Sequence, residues 1–325
     1  MVVCRYGSCC EPAFTLETLY GIVAAVGKRI NRSQSGCQNS GFLSPSRGRI
    51  SADRDRPFAI RVLSTAEGIV SLTLYLKNPH SVLAALEHRS EAVSLVTQHS
   101  ERPHGAWKQV VALAGKQGVP VRHEARWREP GRRRTQRSGE AGRAASAEAT
   151  VREHPGIAIE MLFDDAANRA NGHGLWLALD QIQDTHNIGA IFRTAAFFGV
   201  EGLVLTRDRS APLNATVYDT ACGGVETVPF TVQTNLSRAL EQAKRAGVWV
   251  LGTSEHAEQD VAEIERDRPW LLVLGNEEKG LRRLTMETCD ALCRITPRGE
   301  VGSLNVSVAA GVLIAMMTGR PGNLI

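Results

Sequence analysis

The chain has 325 residues, of which 43% are hydrophobic and 22% charged, and a formal net charge of +4. These values exclude a low-complexity or fibrous chain and fit a globular protein long enough for two domains. The mild basic excess is compatible with a polyanionic partner without requiring one, and no run of eighteen or more apolar residues occurs, so no membrane-spanning helix is predicted.

The first 55 residues are rich in Ser, Gly, Asn and Arg and are expected to lack fixed structure. LYGIVAAV, at Leu19–Val26, has the length of a signal-peptide core, but Lys28 and Arg29 stand where a small-residue cleavage site would be, so it is rejected as one. The pattern changes over residues 56–123. RPFAIRVLS and VSLTLYLK are short apolar runs, VLAALEHR and AWKQVVALAGKQG have helical spacing, and GVPVRHE resembles a further strand. This predicts a small α/β domain. Residues 124–156 then form an arginine-rich linker; between Arg122 and Arg152 there are nine arginines against four glutamates. Two readings of it stay open, a solvated tether or an arm in which Arg132, Arg133 and Arg134 contact RNA phosphates.

Residues 157–325 alternate strand and helix: LWLALD, IGAIFRTAAFFG, GLVLT, NATVYDTA, VPFTVQ, NLSRALEQAKRAG, VWVLGTS, WLLVLG, CDALCRI and a final apolar helix. Alternation at this spacing predicts a parallel sheet with helices on both faces, which binds its ligands at the carboxyl ends of the strands. A glycine-rich turn of the ordinary dinucleotide kind would follow the first strand, and DQIQDTHNIG does not supply one. The seven cysteines (4, 9, 10, 37, 222, 289 and 293) lack framework spacing and are expected to be reduced thiols of a cytoplasmic protein. Cys222 has no histidine at a recognisable spacing, and no metal site is predicted.

Three segments carry the chemistry. LDQIQDTHNIGAIFRTAAFFGV (Leu179–Val200) contains Asn187, Gly189, Arg193 and Thr194. LLVLGNEEKGL (Leu271–Leu281) contains Gly275, Glu277 and Gly280. The third runs from Pro297 through Gly299, Ser303, Leu304 and Asn305 into SVAAGVLIAMM. Each has an ordinary structural alternative. Asn187 and Asn305 stand where helix N-caps are favoured, the glycines suit turns, and Glu277 suits an exposed loop.

In this order and spacing the three segments resemble the motifs of the SpoU (TrmH) family of RNA ribose 2'-O-methyltransferases, in the SPOUT superfamily. DRSAPLNATVYDTACGGVETVPF and AGVWVLGTS resemble the connecting blocks of the bacterial large-subunit rRNA guanosine enzymes. The resemblance spans residues 174–319. It implies a deep trefoil knot in the late loops, an S-adenosylmethionine site there, and a homodimer paired through the knot helices. It further implies cofactor contacts at Thr253, Gly275, Ile295, Leu304 and Asn305, and a catalytic group of Arg193, Asn187, Glu277, Ser303 and Asn305. Arg193 is central to that group; a guanidinium is almost always protonated, so phosphate binding and polarisation of the ribose hydroxyl suit it better than proton abstraction. Glu226 is offered as an RNA contact. By the same resemblance the 56–123 domain selects substrate. Whether the RNA is rRNA or tRNA stays open here, as does an inactive RNA-binding or ribosome-assembly protein on the same scaffold.

Overall fold

Nearly unbroken apolar runs form the centre of the larger sheet. LWLAL is β5 (Leu175–Leu179), GLVLT is β6 (Gly202–Thr206) and WLLVL is β10 (Trp270–Leu274), each buried along its whole length. Burial on both faces removes any need for alternation. The computed structural model describes residues 72–100, 102–124 and 147–319. The expected unstructured segment 1–55, the run at Leu19–Val26, RPFAIRVLS and the arginines at 132, 133 and 134 lie outside the described residues.

Seven strands lie in the order β7-β6-β5-β10-β8-β11-β9, every pairing parallel, with β7 Phe230–Gln233, β8 Trp249–Thr253, β9 Gln259–Asp260 and β11 Ala291–Arg294. Successive side chains of β5 point to opposite layers. Leu175, Leu177 and Leu179 pack with α4 (Thr185–Phe198), α5 (Ala215–Ala221) and α9 (Val306–Thr318); Trp176 and Ala178 pack with α3 (Ile159–Leu162) and α7 (Leu236–Arg245). The expected parallel sheet with helices on both faces is present. Its strand order reverses between β5 and β10, and at such a switch point the loops diverge and leave a crevice at the carboxyl ends. The short α8 (Arg283–Thr288) joins β10 to β11.

A second sheet has the order β1-β4-β2-β3, with β1 Thr73–Leu76, β2 Val93–Gln98, β3 Val121–His123 and β4 Ala147–Arg152. Two corrections follow. Residues 147–152 are the strand between β1 and β2, antiparallel to both, so the expected 124–156 linker ends earlier and the small domain continues to Arg152. VSLVTQ, passed over in the sequence, is β2. Helices α1 (Pro79–Arg89) and α2 (Trp107–Lys116) cover this sheet through Val82, Leu86, Val110 and Ala114.

The small sheet shares one continuous apolar core with the large one, from Leu74 through Leu86 and Tyr218 to Ile314. Polar contacts fasten the seam. The Asp219 carboxylate accepts from the backbone N–H of Lys77 and Asn78 at 2.9–3.1 Å, and the Ser81 hydroxyl donates to the Tyr218 carbonyl at 2.6 Å. Gly223 has φ of 100°, and a Cβ there would stand 2.8 Å from that of Ala84, so α1 sits directly on the turn before α6 (Gly224–Thr227). Arg89 forks onto Glu226, Nε to Oε2 at 2.6 Å and Nη2 to Oε1 at 2.7 Å. The Glu226 side chain is 1% exposed. That overturns Glu226 as an RNA contact, because its carboxylate is consumed inside the chain.

Breaking a buried pair from one side strands the other charge, at about 3–5 kcal/mol. Arg89→Ala should therefore lower the urea midpoint sharply, whereas Arg89→Met with Glu226→Leu should recover most of the loss. Equal midpoints for Arg89→Ala and the native chain would show that the pair does not hold the seam.

Candidate active site

Asp180 closes β5 and organises the crevice. Only 1% exposed, it accepts from Arg282 Nε at 3.1 Å and Thr285 Oγ1 at 3.0 Å, and its second oxygen lies 2.8 Å from Arg282 Nη2. Its N–H donates to the Leu274 carbonyl at 2.8 Å. The start of α8 is thereby tied to β5. Between Leu274 and Arg282 the chain must reverse: Asn276 and Gly280 exchange backbone hydrogen bonds of 3.1 and 2.9 Å, and Gly280 takes φ of 63°, where a side chain would be strained. The Asn276 side chain accepts from the N–H groups of Glu278 and Lys279 and donates to the Gln181 carbonyl at 2.9 Å.

This reversal presents Glu277 to α4. Asn187, 7% exposed, donates from Nδ2 to Glu277 Oε1 at 3.0 Å, and its Oδ1 accepts from Asn305 Nδ2 at 3.0 Å. One residue from each of the three segments is thus joined in a single hydrogen-bonded line. Asn187 is not the cap of α4; Asp184 is, accepting from the His186 N–H at 2.8 Å. Asn305 is the cap of α9, its Oδ1 accepting from the Ser307 N–H at 2.9 Å and the Ser307 hydroxyl at 2.6 Å, and so serves helix and site together.

A cleft of about 820 Å³ opens beside this line at the carboxyl ends of β8, β10 and β11. Thr253, Gly275, Ile295, Ser303 and Leu304 all border it. Thr253 donates its hydroxyl to the Val273 carbonyl at 3.0 Å, and Ser303 hydrogen-bonds none of the described residues. Asn305 is not among the residues that line it, and its amide turns to Asn187. Gly275 has a use that differs from making room for a ligand. A Cβ there would fall 2.4 Å from the Gly280 carbonyl carbon and 2.5 Å from the Leu281 nitrogen, so its bareness lets the reversal close. Gly299 and Gly302 border the cleft, neither has a positive φ, and a Cβ at either would meet nothing within 4 Å.

Arg193 is not part of the line. It lies on the exposed side of α4, one stripe with His186, Ala190 and Phe197, and forms no ion pair among the described residues. The Asp180–Arg282 tie escaped the sequence reading, although an acid ending an apolar strand was a signal. Free thiols among the described residues are Cys222, Cys289 and Cys293, and burial pushes the last two up to about 12. No group of acids, histidines and cysteines among the described residues has metal-binding geometry.

The switch-point cleft of this parallel sheet is lined by backbone, apolar side chains and charges of both signs, Glu255, Glu277, Glu278 and Glu300 beside Lys279, Arg294 and Arg298, and it has the size of a small-ligand site. Residues 174–315 match the family model described as the SpoU rRNA Methylase family. The chain is 35% identical over 244 residues to a Pseudomonas putida protein named 23S rRNA (guanosine-2'-O-)-methyltransferase RlmB, a match covering 72% of this chain and 92% of that one. A Bordetella pertussis protein of the same name is 36% identical over 242 residues, covering 74% and 95%. In fold, the chain is similar to the SpoU methyltransferase AviRb from Streptomyces viridochromogenes, with TM-score 0.60 and 19% identity over 76% of this chain and 88% of that one. The chain belongs to the SpoU rRNA methylase family. It is of the class of RNA methyltransferases.

Because the clash at Gly275 is with backbone, even Gly275→Ala should open the reversal and carry Glu277 away from Asn187. Calorimetry should then show S-adenosylmethionine bound at least about tenfold more weakly, a loss of about 1.4 kcal/mol. Unchanged affinity would show that this turn does not shape the cleft.

Proposed function

We propose that this chain transfers a methyl group from S-adenosylmethionine to the ribose 2'-hydroxyl of a guanosine in large-subunit rRNA, as the names of its relatives describe for them. The observation that carries the reading is the Asn305–Asn187–Glu277 line, which joins all three motif segments at the mouth of the cleft. An inactive scaffold has no need to retain it. The relatives favour rRNA over tRNA.

The cleft suits the cofactor: apolar and backbone groups at Leu274, Gly275, Ile295 and Leu304 for an adenosine, carboxylates for the positive sulfonium and amine, and the basic Lys279, Arg294 and Arg298 for its carboxylate. When bound, S-adenosylmethionine supplies an electrophilic methyl group on sulfur. The ribose oxygen must approach in line and lose its proton as the carbon–oxygen bond forms. Asn187 fixes the Glu277 carboxylate, and Glu277 and Ser303 orient the hydroxyl from the cleft side. Arg193, a permanent cation open to solvent, holds the adjoining phosphate and offsets negative charge developing on the oxygen. The late loops thread as a trefoil knot, and residues 72–152 select the RNA. Arg132, Arg133 and Arg134 add sequence-independent phosphate affinity. The setting is cytoplasmic. No helix among the described residues is long and apolar enough to cross a membrane.

Mapping 2'-O-methylation in rRNA from cells with and without this chain tests the assignment; a missing site identifies the target, and an unchanged map refutes it. Arg193→Ala should lower kcat about a hundredfold or more while leaving cofactor affinity unchanged. Near-normal turnover would remove Arg193 from the chemistry.

The protein acts as a homodimer. Phe197 is 82% exposed on the Arg193 side of α4, and Val308 is 52% exposed on α9, which packs against α4. Burying this apolar stripe on a twofold mate would place Arg193 beside the partner. Sedimentation at micromolar concentration should give twice 35.3 kDa. An active monomer would overturn the pairing.

A further inference from the structure

A second cleft, of about 530 Å³, lies at the carboxyl ends of β5, β6 and β7, on the other side of the first turn of α4. Ile188 borders it while the neighbouring Asn187 faces Glu277, so a single helical turn serves both clefts. Its floor is apolar, formed by Leu179, Ile188 and Leu205. Its volume lies within the roughly 300–1,000 Å³ of small-ligand sites.

Besides His154, whose Nε2 hydrogen-bonds none of the described residues, three polar groups on the rim have unused capacity. Arg207 is exposed and forms no ion pair among the described residues. Glu153, at the exit from β4, is half-buried, and its carboxylate has neither ion pair nor hydrogen bond among the described residues. Burial alone lifts it above the usual carboxylate range. The adjoining His154 does not neutralise it; burial first, and the Arg89 charge second, hold the ring below its usual value, and His154 Nδ1 accepts from the Gly156 N–H at 2.9 Å. A half-buried carboxylate without a partner is expensive unless a ligand supplies donors. Ser210 is the third. Thr206 Oγ1 accepts from the Gln181 N–H, lies 3.2 Å from the Leu179 carbonyl and shares a 2.6 Å hydrogen bond with the Ser210 hydroxyl, in which either can donate. Ser210 Oγ keeps a free lone pair as an acceptor in both arrangements.

We propose that this cleft receives the guanine base of the nucleotide being methylated, with Arg207 donating to O6 and N7 while Glu153 and Ser210 accept from N1–H and the 2-amino group. The inference rests on the rRNA guanosine reading above. One cation against two acceptors is the complement of guanine's edge; adenine turns a lone pair at N1 toward the carboxylate and an amino group toward the guanidinium. The base leaves its stack to enter, and its ribose stays at the mouth of the first cleft. Because Glu153 directly follows β4, base selection is coupled to the position of the small sheet.

The test uses the full chain with RNA fragments carrying guanosine, inosine or adenosine at the methylated position. The native enzyme should prefer guanosine over adenosine by about a hundredfold in kcat/KM, and over inosine, which lacks the 2-amino group, by about tenfold. Ser210→Ala and Glu153→Gln should shrink the guanosine-to-inosine ratio below about threefold, and Arg207→Met should raise KM at unchanged cofactor affinity. An indifferent native enzyme, or ratios unmoved in both variants, overturns the assignment and leaves the methyltransferase reading intact. A separate arm needs no turnover. Titration with GMP and AMP should show GMP bound about tenfold more tightly, a preference lost in Arg207→Met; equal binding of the two nucleotides overturns the pocket. Absence of methyl transfer to any RNA would sink the methyltransferase reading, and the nucleotide titration would still decide the pocket.

Discussion

The carboxamide of Asn187 is nearly buried, and it spends its donor on Glu277 and its acceptor on Asn305. An ionised carboxylate could not replace it with both bonds intact, since it only accepts and Glu277 needs a donor. Because the partners stand on the reversal after β10 and on the first residue before α9, a single side chain sets the register of three loops that meet at the switch point of the sheet. The cleft is shaped by this agreement among loops. Around it, the Asp180 ion pair and the Asn276 turn supply the rigidity that a polar line needs to stay satisfied.

β5, β6 and β10 were legible because they are buried on both faces and therefore read as solid apolar runs, whereas the two-residue β9 was not predicted. β4 was not, though AEATVR alternates faithfully, because alanines at 147 and 149 give a weak apolar signal beside a tract of arginines. VSLVTQ escaped for a related reason; its register shifts between Val93 and Leu95, which breaks the two-residue period. At the site, the residue types were recoverable from motif order, and their connections were not. Asn187 and Asn305 are 118 positions apart, and no local pattern says that one amide faces the other. Glu226 was misassigned through the same blindness, since the arginine that buries it lies 137 positions earlier, at the end of α1.

Two clefts on either side of one helix divide the work that ribose methylation demands. The first, walled by backbone and by charges of both signs, suits a zwitterionic cofactor; the second, with an apolar floor and a sparse polar rim, suits a flat base. Arg193 belongs to neither wall and faces outward with Phe197. That placement fits a group whose partners, RNA phosphate or a second subunit, arrive from outside.

The strand order also governs the sequence of events as the chain leaves the ribosome. β5, β6 and β7 are near neighbours in sequence and can pair early, but β5 is completed on its other edge by β10, which follows it by 95 positions. Until then the apolar edge of β5 has no mate, and α4 waits for α9, at the far end of the described chain, to cover it. Such long-range closure is slow relative to helix and hairpin formation. The half-finished sheet is consequently the stage at which this protein has most need of a chaperone, and a substitution that weakens β10 would show as aggregation during synthesis before any loss of stability in the finished fold.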